Sequence, residues 1–138
     1  MKGLGTALIT PFTEDGKVDF PSLSNLIEHQ VAGGTDYLVI LGTTSEVPTL
    51  THQEQNAIID YVVKQVAGRM PLVLGIGGNS TAAVVERIGE LKEQLIAHFT
   101  AILSVTPYYN RPQQEGLYQH FCAVAEASPL PVILYNVP

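Results

Sequence analysis

The sequence predicts an α/β fold, half of a (β/α)8 TIM barrel, made of (βα)4 plus a fifth strand in one parallel sheet. Short runs rich in Val, Ile and Leu alternate with longer amphipathic segments, and the runs start about every 30 residues, the length of one βα unit. The runs are apolar almost throughout, which is typical of parallel strands covered on both faces. A whole barrel takes roughly 250 residues. The 138 residues therefore suit a half-barrel, which we expect to be a single domain over residues 1–138.

Five apolar runs predict the strands, and the four segments between them predict the helices. The strands are expected at residues 6–12, 37–42, 71–78, 100–110 and 131–138. The first helix covers residues 21–32, the second starts at a capping-box pattern of Thr51 and Glu54 and stops at Gly68, and the third starts at about Thr81. The apolar stripes are Leu23, Leu26, Ile27 and Val31; Ala57, Ile58, Tyr61, Val62 and Val66; Val84, Val85, Ile88, Leu91 and Leu95; and Leu117, Phe121 and Val124.

Right-handed βαβ crossovers leave two common arrangements for this order of elements, a barrel and a doubly wound open sheet. Each helix carries one apolar stripe, which suits one side of a sheet. The loops at Gly33-Gly34 and Gly68 are short for the crossovers of a reordered sheet. We therefore favour the half-barrel, and a flavodoxin-like open sheet stays as the alternative.

Composition and charge narrow the classes of partner. The net charge of −6, without a Lys/Arg cluster, argues against nucleic acid and anionic membranes as partners. The N-terminal apolar run is too short for a signal peptide, and no run is long enough to cross a membrane, so we expect a cytoplasmic protein. Cys122 is the only cysteine, which excludes an internal disulfide. The four histidines lack the spacing of metal ligands, so we expect no metal site.

Polar residues gather where each predicted strand ends, at the edge where parallel α/β folds form their sites. Strand two ends in "GTTSE", in which Thr43 and Thr44 place adjacent hydroxyls and free backbone amides after a buried strand. These donors suit a small carboxylate without any positive charge. The alternative is a loop whose Ser and Thr residues only cap the next helix.

Phenols reach the same edge from two other strands. Tyr108 and Tyr109 lie in "TPYYN" after strand four, and Tyr135 follows strand five. With hydroxyl partners such as Thr43 or Thr44 they can relay protons. The alternative is that these rings cap the core, with their hydroxyls in water.

The glycines of "GIGGNS", after strand three, do not predict a dinucleotide cofactor. They fail the G-x-G-x-x-G spacing because Ser80 takes the third glycine position. We expect them to allow close backbone approach in a turn.

Three segments, "GTTSEVPTL", "SVTPYYNRPQQEGLYQHF" and "LPVILYNVP", resemble the dihydrodipicolinate synthase family, also called 4-hydroxy-tetrahydrodipicolinate synthase. The resemblance runs over almost the whole chain and covers the N-terminal half of that family's barrel. It implies a class I aldolase-type lyase that condenses pyruvate with aspartate semialdehyde in lysine biosynthesis. It also implies a Schiff-base mechanism, no cofactor and a homo-oligomer.

The resemblance assigns roles to four of the strand-end residues. Thr43, Tyr109 and Tyr135 would form a proton-relay triad, with Tyr109 reaching into a neighbouring subunit's site. Thr44 would hold the pyruvate carboxylate. The family's loop usually has Gly where this chain has Ser45, and we expect Ser45 to be costly if that position needs a positive φ.

The family also suggests an allosteric site for lysine at a dimer interface, which this chain keeps in part. His52, Asn79 and Tyr108 match retained contacts. Gln55 stands where a second His often lies, and Ala83 stands where a Glu would pair with the lysine α-amino group. We therefore expect weak or no lysine binding.

Two further departures concern the rest of the chain. Residues 94–99 lengthen the third apolar stripe where the family has a short, Gly-containing turn. The family's Schiff-base lysine corresponds to a position after residue 138. The four lysines present, Lys2, Lys17, Lys64 and Lys92, lack the burial or cationic neighbour that such an amine needs.

Two hypotheses remain for the chain as a whole. In the first it is the N-terminal half of a lyase, inactive alone. In the second it is a free-standing engineered or truncated half-barrel, a folding unit without enzymatic role. In both, open sheet edges and an uncovered apolar face predict association into a homo-oligomer.

Overall fold

The computed structural model describes residues 1–91 and 96–137, in which five strands alternate with four α-helices. The strands form one sheet in the order β1-β2-β3-β4-β5, and β1 pairs with β2, and β4 with β5, in parallel. The predicted alternation and parallel pairing are confirmed. The elements are β1 (Gly5–Ala7), α1 (Phe20–Ala32), β2 (Tyr37–Ile40), α2 (His52–Val66), β3 (Leu72–Gly75), α3 (Thr81–Gly89), β4 (Phe99–Val105), α4 (Gln114–Ala127) and β5 (Val132–Tyr135).

The chain divides into two compact units, Met1–Leu72 and Val73–Pro138. The expectation of a single domain over residues 1–138 stays a prediction. Among the described residues, no helix has the length and apolar character needed to cross a bilayer.

In the first unit, both helices begin at side-chain caps that the sequence supplies. The Asp19 carboxylate accepts a hydrogen bond from the Ser22 amide at the start of α1. At α2 the predicted capping box is present: the Glu54 amide donates to Thr51 Oγ1, and the Thr51 amide donates to Glu54 Oε2. The Thr51 amide, and next the Thr51 hydroxyl, lower the pKa of Glu54 by donating to its carboxylate. The caps satisfy amides that would otherwise lack an intrahelical acceptor.

The helix α2 ends at Val66, two residues before Gly68, the predicted stop signal. Ala67 is its C-cap and takes the left-handed conformation, with φ 49°, and its amide donates to the Val63 carbonyl. Gly68 follows, also at positive φ. The buried face of α2 contains Ile59 and Gln55 beside the predicted Ile58, Val62 and Val66.

The strands are shorter than the apolar runs that predicted them. The apolar runs extend beyond the strands, because the residues at the strand ends either leave the extended conformation or have no backbone amide to donate. The run at 37–42 stops forming strand after Ile40 because Leu41 is left-handed, with φ 52°. The run at 6–12 contains Pro11, which has no amide to donate to a ladder.

The strand β3 is buried along its whole length. In the second unit, α3 buries Val84 and Ile88, and α4 buries Val124. The last strand, β5, is not covered on both faces: its burial falls from intermediate at Val132 to exposed at Tyr135. Leu134 in this strand is 60% exposed. Leu95 and part of the segment 94–99 lie outside the described residues.

Candidate functional site

A tight turn follows β2 and carries two of the predicted site residues. Thr43–Ser45 form a single turn of 3-10 helix, in which the Ser45 amide donates to the Gly42 carbonyl and the Glu46 amide donates to the Thr43 carbonyl. Left-handed residues flank the turn, Leu41 with φ 52° and Glu46 with φ 56°. Such conformations cost non-glycine residues about 1–2 kcal/mol each, so the surrounding structure must hold them.

Ser45 is the buried member of this turn, and its φ is not positive. The condition under which Ser45 would be costly, a positive φ, is therefore not met, because the left-handed position falls on Glu46. The Ser45 hydroxyl donates to the Leu8 carbonyl at 2.6 Å, and the Thr10 hydroxyl donates to the Ser45 carbonyl at 2.8 Å. Two buried hydrogen bonds thus join the turn to the segment that follows β1.

Thr43 and Thr44 are exposed on this turn. Fewer backbone amides are free than predicted, because the amides of Ser45 and Glu46 donate to carbonyls inside the turn. The hydroxyls of Thr43 and Thr44 remain as adjacent donors on a fixed backbone. Neighbouring hydroxyl donors on a rigid turn can orient a small carboxylate without a charged partner.

In the second unit, β4 and β5 bring two more predicted residues to neighbouring strand ends. Tyr135 is the last residue of β5 and lies opposite Val105, and its carbonyl accepts from the Thr106 amide at 2.9 Å. Tyr109 lies four residues after Val105. It is 94% exposed and left-handed, with φ 72°. Its phenol is therefore exposed to solvent.

The predicted allosteric residues are distributed over both units. In the second unit, the Asn110 side-chain amide donates to the Asn79 carbonyl at 2.9 Å, and the Asn110 backbone amide donates to the Tyr108 carbonyl. Asn110 thereby links the loops that carry Asn79 and Tyr108. His52 is the exposed first residue of α2 in the first unit.

The glycine-rich loop after β3 has the close approach that the sequence predicts. A Cβ added to Gly77 would lie 2.8 Å from the Val105 backbone nitrogen and 2.7 Å from its Cγ1. The loop therefore packs against the end of β4, where only a glycine fits.

Among the described residues, no group of three or more His, Cys, Asp or Glu side chains is arranged to hold a metal ion. Two residues that organise these loops were not among the predicted site residues: Thr10 in the first unit and Asn110 in the second. Thr10 was visible only as the polar residue ending an apolar run, and Asn110 only as the last letter of "TPYYN". Neither sequence pattern predicts which backbone carbonyl the Thr10 or Asn110 side chain bonds.

Comparison with known proteins identifies the chain's relatives. A family profile described as the dihydrodipicolinate synthetase family matches residues 1–138. The 4-hydroxy-tetrahydrodipicolinate synthase of Parabacteroides distasonis is 57% identical over 138 residues, which are 100% of this chain and 46% of that protein.

Solved structures of such enzymes superimpose closely. The 4-hydroxy-tetrahydrodipicolinate synthase of Methylacidiphilum fumariolicum gives a TM-score of 0.91 at 40% identity, covering 100% of this chain and 45% of that one. The dihydrodipicolinate synthase of Acinetobacter baumannii, described as chloride-inhibited and complexed with pyruvate, gives 0.91 at 44% identity, covering 99% and 46%.

The chain thus spans about half the length of the relatives it matches. The neighbours are TIM barrels, so the predicted fold class, half of a (β/α)8 barrel, is confirmed, as is the resemblance to the N-terminal half of the family.

Proposed function

Because the chain belongs to the dihydrodipicolinate synthetase family, we propose that its residues form part of a lyase site that condenses pyruvate with aspartate semialdehyde in lysine biosynthesis. The observation that carries the proposal is the turn after β2, which presents Thr43 and Thr44 on a backbone anchored by two buried hydrogen bonds. The Acinetobacter baumannii relative, described as complexed with pyruvate, supports a 2-oxo acid as the ligand. A cytoplasmic location follows from this biosynthetic role and is part of the proposal.

In the proposed site Thr44 holds the pyruvate carboxylate and Thr43 belongs to the proton relay. Both side chains are exposed hydroxyls, and a hydroxyl can donate one proton while accepting another. This dual capacity is what a relay requires, whereas an ammonium or guanidinium group at the same place could only donate.

Two tyrosines complete the proposed relay. Tyr135 ends β5, and the β4–β5 register places its backbone opposite Val105 at the strand end. Tyr109 is the member that serves a neighbouring subunit, and its 94% exposure on a left-handed backbone supports a role outside its own chain.

We propose that the 138-residue chain is inactive alone because the Schiff-base amine comes from the part of the family's barrel that follows the matched segment. A nucleophilic lysine needs a desolvated, unprotonated amine. Lys17 is exposed and its ammonium forms an ion pair with Asp15 at 2.6 Å. Lys2 and Lys64 are exposed, and Lys92 lies outside the described residues.

The test joins residues 1–138 to the part of the Parabacteroides distasonis relative that follows its matched segment. We expect this joined protein to condense pyruvate with aspartate semialdehyde, and the 138-residue chain to form no adduct with pyruvate and borohydride by mass spectrometry. In the joined protein, Thr43→Val and Tyr135→Phe should lower kcat by about 10²-fold or more, the range of a lost proton-transfer group. Thr44→Val should raise the KM for pyruvate.

Ser24→Ala is the matched control, since Ser24 also loses a hydroxyl but bonds Gln65 between α1 and α2. A joined protein that folds, as judged by its melting transition, but has no activity would contradict the proposal and favour a folding unit without enzymatic role. A stoichiometric pyruvyl adduct on one lysine of the isolated chain would contradict its predicted inactivity.

We also propose that the chain forms a homo-oligomer through its sheet. In the second unit, β5 exposes Leu134, Tyr135 and the following Val137. In the first unit, Leu4, Ile9 and Phe12 are exposed around β1. Apolar side chains grouped on a strand favour association because it removes them from water.

A further inference from the structure

The turn that carries Thr43 and Thr44 is attached to the segment after β1 by a reciprocal pair of hydroxyl bonds. The Ser45 hydroxyl donates to the Leu8 carbonyl, and the Thr10 hydroxyl donates to the Ser45 carbonyl. Both hydroxyl residues are buried, with Ser45 at 2% and Thr10 at 5% exposure. The first bond uses the Ser45 side chain and the second uses the Ser45 backbone carbonyl, so both hold the same residue of the turn.

The backbone around this residue needs such support. Leu41 and Glu46, on either side of the turn, are both left-handed without being glycine. Strained conformations of this kind persist only where the surroundings fix them. The turn's own bonds, from the Ser45 amide to Gly42 and from the Glu46 amide to Thr43, join only residues within it. They do not fix where the turn lies relative to β1.

We propose that Thr10 and Ser45 are positioning residues: their paired hydroxyl bonds hold the turn so that the Thr43 and Thr44 hydroxyls meet the substrate carboxylate in one fixed orientation. The inference rests on the proposed function, and it assigns to these two side chains no contact with substrate. It makes the affinity for a small carboxylate depend on two buried hydroxyls that do not touch it.

Thr10 offers a matched pair of variants. Thr10→Val keeps the shape of the side chain and removes the hydroxyl, whereas Thr10→Ser removes the methyl and keeps the hydroxyl. Ser45→Ala removes the other bond, and Ser24→Ala again serves as the control for a hydroxyl lost elsewhere in the same unit. Thr10→Val leaves the Ser45 carbonyl without its donor, and Ser45→Ala leaves the Leu8 carbonyl without its donor. An unsatisfied buried carbonyl is costly in both variants.

The first measurement is amide hydrogen exchange in the 138-residue chain. We expect Thr10→Val and Ser45→Ala to speed exchange of the Ser45 and Glu46 amides about tenfold, while amides in α1 and α2 keep their rates. The second measurement is steady-state kinetics of the joined protein described above. We expect the same variants to raise the KM for pyruvate about tenfold with a smaller change in kcat, and Thr10→Ser to recover most of the affinity.

Unchanged exchange at Ser45 and Glu46 in both variants would overturn the inference. Faster exchange with an unchanged KM for pyruvate would overturn it as well, since the bonds would then hold the turn without serving the ligand. If Thr43→Val and Thr44→Val also leave the kinetics unchanged, the proposed function fails instead. The exchange data still decide in that case whether the hydroxyl pair holds the turn.

Discussion

His120 is a buried titratable side chain in the second unit, at 3% exposure on α4. A hydrogen bond of 2.8 Å joins its Nδ1 to the Thr81 hydroxyl at the start of α3, and its Nε2 is buried without a partner among the described residues. Burial disfavours the charged ring and lowers the pKa of His120 below the ordinary 6.5. Burial in the folded protein therefore favours the neutral form of this histidine.

This histidine predicts a pH dependence of stability. Because its folded-state pKa lies below that of the unfolded chain, the unfolded state takes up the proton first as pH falls. The contribution of His120 to stability is complete above pH 6.5 and is lost as pH falls through the folded pKa. We expect urea unfolding at a series of pH values from 7 to about 5 to show a falling free energy of unfolding, with a smaller slope in His120→Gln.

Thr81→Val is the control for this measurement, since it removes the hydrogen bond but leaves the buried, titratable ring. It should retain the slope with pH while losing stability at every pH. Equal slopes for the unchanged chain and His120→Gln between pH 5 and 7 would contradict the prediction.

A second residue-scale prediction concerns lysine, which the family's allosteric site would bind. The Gln55 side chain is buried and donates to the Leu50 carbonyl, so it is occupied within its own unit. Ala83, on the first turn of α3, offers no carboxylate for the α-amino group of lysine. A charge-assisted hydrogen bond of about 1.5–3 kcal/mol is thereby lost. We expect calorimetry to detect weak or no binding of lysine.

Ala83→Glu supplies the missing carboxylate and should strengthen lysine binding by at least about tenfold. Ala82→Glu, an exposed neighbour on the same helix, controls for added negative charge. Micromolar affinity in the unchanged chain would refute the prediction.

At the scale of the elements, the loop after β3 depends on Gly77. A side chain there would collide with the backbone nitrogen of Val105 in β4, at 2.8 Å from the added Cβ. A backbone atom in a strand cannot turn aside as a flexible side chain can, so one of the two segments must shift. We expect Gly77→Ala to lower the free energy of unfolding in urea by about 1–3 kcal/mol.

Gly89, in the last turn of α3, provides the opposite control. An added Cβ there meets nothing within 4 Å, and alanine restricts the unfolded chain more than glycine does. Gly89→Ala should therefore raise stability by about 0.5–1 kcal/mol. Equal effects of the two substitutions would show that the close approach at Gly77 has no energetic consequence.

At the scale of the whole molecule, the exposed strand β5 predicts association. Within the described residues β5 pairs with β4 alone and ends the sheet order, and its Leu134 is largely exposed. We expect sedimentation at micromolar concentration to show a dimer or larger species. Leu134→Lys should shift the population toward the monomer because a charge on the strand resists burial.

Tyr118→Lys is the control for this test, since Tyr118 is comparably exposed but lies on α4. It should leave the association unchanged. A clean, stable monomer of the unchanged chain with a cooperative melt would defeat the prediction.

The sequence by itself determined the order of elements, the capping box at Thr51 and Glu54, and the family. These features depend on local sequence patterns: apolar periodicity, a capping residue three positions from its partner, and motifs of consecutive residues. It also selected Thr43, Thr44, Tyr109 and Tyr135 as candidates, because polar residues that follow apolar strands stand out in the letters alone.

Only the tertiary structure decided what Ser45 does. In the letters it was a departure from the family's glycine, whereas in the fold its hydroxyl meets the Leu8 carbonyl from 37 residues away. The sequence predicted a close approach in the glycine loop and an uncovered apolar face, but only the folded chain showed that Gly77 meets Val105 and that Leu134 is exposed on β5. The physical reason is common to all three. Which distant segments meet, and which side chains they leave exposed, depends on strand register and backbone φ, and neither is encoded in local periodicity.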